Sequence, residues 1–139
     1  MGWRKGLTLL ACFAAIALGG CSTGVNNGSG STSGGSTPQA ALDRYFSTAV
    51  KQDYAATYDC YYQRYRDKVT KDDFVKHRAE ASVLSSYEIT SLRQNGDSAE
   101  AVALLTFAPS AKLHRSKPTT VRVTEQLVRE NGAWKIKVW

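Results

Sequence analysis

Glu125 is the acid in this chain with the clearest chemical potential. Val121, Val123 and Leu127 share its parity along a strand-like segment, so strict alternation sets one carboxylate in an apolar wall. Burial there would raise its pKa and fit it to act as a general base or to hold a ligand by hydrogen bonds. The alternative is a bulge that shifts the register, or a face open to solvent where Glu125 pairs with Arg122 or Arg129. Tyr54, Tyr58, Tyr61, Tyr62 and Tyr65 recur at close to helical spacing. Their rings and hydroxyls could line the mouth of a pocket for a sugar or an aromatic ligand, or pack inward as core. The candidate pocket set is Glu125 with Tyr54, Tyr58 and Tyr62.

Other reactive residue types offer less. His77 stands between Lys76 and Arg78 and His114 beside Arg115, in settings that suit solvated side chains, since a catalytic histidine needs an orienting partner. Cys12 falls in the amino-terminal apolar stretch and Cys21 just after it. That leaves Cys60 as the one cysteine of the expected folded part, where a small buried hydrophobe fits best. There is no CxxC pair and no spaced His/Asp/Glu set, so neither a metal nor another cofactor is expected. Lys112, Arg115, Lys117 and Arg122, with Lys135 and Lys137 nearby, form a basic patch that could face anionic lipid or cell-wall polymer, or simply solvent. The net charge of +6 includes Arg4 and Lys5, and no nucleic-acid motif accompanies it.

The elements that must position these groups begin at Thr37-Pro38, a helix cap followed by a proline suited to the first turn. Ala41, Leu42, Tyr45, Phe46, Ala49 and Val50 then give that helix one apolar face. Asp53 can cap a second helix carrying the tyrosines. Thr70 with Asp72 and Asp73 opens a third, which shows Phe74, Val75 and Arg78 and ends near Ala81. The period then changes to that of strands. Tyr87 to Arg93 and Ala99 to Phe107 flank Asn95-Gly96, Thr119 to Glu130 follows a basic loop, and Asn131-Gly132 turns into Trp134 to Trp139. Three helices followed by four antiparallel strands are expected.

Ahead of this domain, Arg4-Lys5 precedes an apolar run from Leu7 to Leu18 that is shorter than the roughly 17 to 25 residues of a bilayer span. Leu18-Gly19-Gly20-Cys21 resembles the bacterial lipobox. The resemblance implies a signal peptide over residues 1–20 and acylation of Cys21, which would anchor the chain outside the cytoplasm on the outer face of the cell membrane, or on an outer membrane where the organism has two. Ser22 to Thr37 holds five Ser, five Gly, three Thr, two Asn and one Val, a tether whose coil span would be roughly 20 to 24 Å. With 139 residues in all, about one hundred remain for a single domain. A hydrophobic content of 42% and a charged content of 22% exclude wholesale disorder and a polytopic membrane protein.

Ala40-Ala-Leu-Asp-Arg-Tyr-Phe, Lys51-Gln-Asp53-Tyr54-Ala-Ala-Thr-Tyr58, Tyr65-Arg66 and the closing Asn131-Gly132-Ala-Trp134-Lys-Ile136 together resemble the NTF2-like superfamily over residues 38–139. Small lipoproteins with a DUF4878-like domain and SnoaL-like cones are similar. The resemblance implies an α+β cone in which three amino-terminal helices pack on a curved antiparallel sheet of about four strands. It also implies a largely non-catalytic role, binding an envelope protein or a small ligand. Two alternatives stay open: an isomerase or hydro-lyase using Glu125 and a tyrosine, and an assembly module that dimerises sheet to sheet through a face bearing Trp134 or Trp139.

Overall fold

The computed structural model describes residues 35–138. The expected signal peptide, the expected acylation site Cys21 and most of the expected tether lie outside the described residues, as does Trp139. Helix α1 spans Pro38–Val50, and the Thr37 hydroxyl caps it by accepting the Ala40 N–H at 3.1 Å. Its buried face is Ala41, Leu42, Tyr45, Phe46 and Ala49. Asp53 caps α2, Tyr54–Tyr58, through the Ala56 N–H at 3.0 Å. The short α3 covers Gln63–Arg66, and α4 covers Lys71–Glu80 behind its Thr70 cap.

The segment expected to be one tyrosine-bearing helix is therefore two, making four α-helices. The cause is tertiary. The Ile136 N–H donates to the Cys60 carbonyl at 2.9 Å and the Tyr62 N–H donates to the Ile136 carbonyl at 3.0 Å, so strand bonding replaces helical bonding between α2 and α3.

The strands are β1 Leu84–Asn95, β2 Ser98–Phe107, β3 Thr119–Glu130 and β4 Ala133–Lys137, paired antiparallel in the order β1-β2-β3-β4. Asn131 and Gly132 both take positive φ, 50° and 81°, which suits the twist of a two-residue hairpin. The first hairpin centres one residue later than the Asn-Gly reading. Asn95 pairs with Ser98, so Gly96, at φ 59°, and Asp97 form its loop. The outer edge of β4 is covered by single bridges from Gly35 to Trp134 and from Tyr61 to Ile136. Gly35 and Thr37, which fall in the expected tether, thus take part in the folded unit.

Ala99, Ala101 and Ala103 give β2 a shallow inner face. Larger side chains fill the space beside it, with Leu42, Phe46, Leu127 and Ile136 each at most 1% exposed. Trp134 is 2% exposed, so it belongs to this core and offers no surface to a second copy.

Candidate functional site

The β2–β3 register runs unbroken from Ser98↔Val128 to Phe107↔Thr119, so no bulge moves Glu125. It stands opposite Ala101, on the same face as Val121, Val123 and Leu127, and is half-buried. Arg122 points to the opposite face. Arg129 lies 4.0 Å from Asp97 and makes no ion pair with Glu125.

Two tyrosines flank the carboxylate electrostatically, Tyr45 from α1 and Tyr61 from the break between α2 and α3. Their hydroxyls are hydrogen-bonded to each other at 2.8 Å and their rings meet edge to face at 5.4 Å. Phe74 of α4 packs on Tyr61 at 5.4 Å. One helical turn beyond it, Arg78 brings a guanidinium to the same cluster, and its buried Nε has no hydrogen-bond partner among the described residues.

Burial holds the Glu125 carboxyl above the usual carboxylate range, with the positive charge of Arg78 working against it. Burial likewise lifts Tyr45 well above an ordinary phenol. It pushes Tyr61 up to about 12, with the hydrogen bond from Tyr45 opposing the rise. The cluster therefore favours neutral side chains around one guanidinium.

The tyrosines of the candidate pocket set are engaged elsewhere. The Tyr58 hydroxyl lies 2.7 Å from the Val69 carbonyl and 3.2 Å from that of Arg66, holding the α3–α4 connection. The Tyr62 hydroxyl donates to the Val138 carbonyl at 2.6 Å and fastens the end of the sheet. Tyr54 is 8% exposed, within the core. Helical spacing failed to separate these residues from Tyr61 because their helix breaks between them. Arg78 could have been found from its i+4 distance to Phe74, whereas Tyr45 reads as ordinary core until the sheet is in place.

The basic patch divides too. Lys112, Lys117 and Arg122 are exposed, but Arg115 hydrogen-bonds the Ser82 hydroxyl and lies 5.9 Å from the centre of the Phe107 ring. Lys135 leaves the patch altogether. It is 6% exposed, and its Nζ donates to the Asp59 carbonyl at 2.8 Å. Cys60 is buried, its thiol directed to the Ala56 carbonyl, while His77 and His114 are exposed. No group of His, Cys, Asp and Glu among the described residues could hold a metal ion.

Two clefts formed by described residues lie away from this cluster. One, of about 340 Å³, crosses the sheet near the first hairpin between Arg93, Asn95, Glu100, Gln126 and Lys137. The other, of about 520 Å³, is a wide depression in the loop at Pro109, His114 and Arg115.

No protein-family model and no curated protein matches this chain. Solved structures do. A SEC-C motif containing protein from Rhodopseudomonas palustris superposes with a TM-score of 0.62 at 13% identity, over 74% of this chain and 77% of that one. A protein from Thiobacillus denitrificans named for the calcium/calmodulin-dependent protein kinase type II association domain gives 0.55 at 11% identity, over 72% and 89%. One from Campylobacter jejuni named for an NTF2-like transpeptidase gives 0.50 at 13% identity, over 72% and 97%. Identities this low speak to architecture alone, and the architecture is an NTF2-like fold of four helices packed on a four-stranded, open antiparallel sheet.

Proposed function

We propose that the chain is an exported lipoprotein, anchored through Cys21, whose NTF2-like domain is a non-catalytic binding module of the cell envelope. The observation that carries this reading is the engagement of the phenols. Tyr45 and Tyr61, the phenols that feel the charge of Glu125, bond each other, and Tyr58 and Tyr62 bond backbone carbonyls. General acid/base chemistry needs a donor free to reach a substrate, and these side chains serve the fold instead. The anchor rests on the order of charged residues, short apolar run, lipobox-like Leu18 to Cys21 and polar tether. No described helix is long and apolar enough to cross a membrane.

Labelling cells with radioactive palmitate tests the anchor. The wild-type chain should take up label and the Cys21→Ser chain should not, while an unlabelled wild type would end the lipoprotein reading.

One observation favours a second reading. Glu125 faces inward, beside Arg78, and burial raises its carboxyl above the ordinary carboxylate value. An isomerase or hydro-lyase would work from there, through Tyr45 or Tyr61. If Glu125→Gln leaves the cellular phenotype intact while charge reversal at Lys112, Arg115 and Lys117 abolishes it, the enzyme reading fails. The opposite pattern removes the surface-binding one.

A further inference from the structure

Arg93, Glu100, Gln126 and Lys137 come from four different strands, yet the register makes them neighbours. Arg93 pairs with Glu100, Glu100 with Gln126, and Gln126 with Lys137. At the usual strand spacing they form a row about 14 Å long on the outer face of the sheet. All four are exposed and all line the 340 Å³ cleft, at the lower end of the range for small-molecule sites. Among the described residues none of these side chains is hydrogen-bonded or ion-paired, although Arg93 stands directly opposite Glu100.

The chemistry of the row is mixed in a definite way. Arg93 and Lys137 donate only, Glu100 accepts only, and Gln126, joined by Asn95, does both. A polyanion would meet Glu100 in the middle of its path, and a cation would meet Arg93 and Lys137 at either end. The group that suits donors and acceptors in alternation is one that is both, a hydroxyl. Side chains carried on paired strands hold their spacing better than side chains on loops.

The geometry points to a saccharide-binding site in this cleft, taking a neutral, hydroxyl-rich oligosaccharide across the four strands, with Glu100 and Gln126 as its central hydrogen-bonding pair. The site does not depend on acylation of Cys21 or on the fate of Glu125. Isotope-labelled full chain in mild detergent, titrated with the tetrasaccharides of N-acetylglucosamine and of glucose and with inorganic polyphosphate, tests it by amide NMR. Either sugar should move the resonances of Arg93, Glu100, Gln126 and Lys137 in a saturable way. Glu100→Gln and Gln126→Ala should each weaken that binding about tenfold while leaving the rest of the spectrum in place. Two results would overturn the proposal: no shift with either sugar at millimolar concentration, or saturable binding of polyphosphate that Glu100→Gln strengthens.

Discussion

Glu125 and Gln126 are consecutive residues of one strand, and they face two different environments. On the inner side Glu125 looks onto Ala101, Tyr45, Tyr61 and Arg78, where the phenols bond each other and burial drives the carboxyl toward its neutral form. On the outer side Gln126 lies between Glu100 and Lys137, exposed and free of protein partners among the described residues. A period of two residues is enough to give one strand a structural face and a ligand-facing one. The contrast also shows that a carboxylate half-buried between the sheet and the helices is a cost to the fold unless a ligand or a partner offsets it. Arg78, held near but not in an ion pair, offsets only part of that cost.

Substitutions on the two faces should therefore separate stability from binding. Phe46→Ala, which empties a site 1% exposed against the rings of Tyr45 and Tyr87, should lower the unfolding free energy by about 3–5 kcal/mol in urea titrations. Tyr61→Phe leaves the buried Tyr45 hydroxyl without its partner and should cost about 1–3 kcal/mol by the same measurement.

The titrations of both inner groups carry a definite sign. The Tyr61 phenol ionises near 12 in the folded chain against 10 when unfolded. The unfolded chain gives up its proton first, so the contribution of Tyr61, complete below pH 10, should be lost as the pH rises through that window. Glu125 is also raised, from 4.5, so its contribution is greatest at acid pH and declines as the pH rises from 4.5 through the higher folded value. Glu125→Gln removes that decline, and urea midpoints of the two chains compared across this range should diverge as the pH rises. The smallest effect belongs to Gln126→Ala, which should change stability by no more than about 0.5 kcal/mol. A larger loss would mean that the outer row also holds the sheet together.

The residue types and spacings made much of this legible. Thr37, Asp53 and Thr70 cap helices as their positions indicated, and the alternation around Glu125 survives in the register. What stayed hidden depends on contacts distant in sequence. The break at Cys60 to Tyr62 is set by Ile136, and Lys135 is drawn inward by the Asp59 carbonyl, neither of which a local pattern contains. The outer row was hidden for the same reason. Its four members become neighbours only once all three strand registers are fixed, and Gly96-Asp97 sets the first of these one residue away from the Asn-Gly reading.

The division of labour between the faces can be tested most directly by amide chemical-shift mapping of the labelled full chain against glycan fragments released from the envelope of its own host. A binding module with a structural interior should show shifts along Arg93, Glu100, Gln126 and Lys137, with Tyr45, Tyr61 and Glu125 unmoved. Saturable shifts centred on Tyr45, Tyr61 and Glu125, with the outer row silent, would contradict it and return the interior to the working part of the protein.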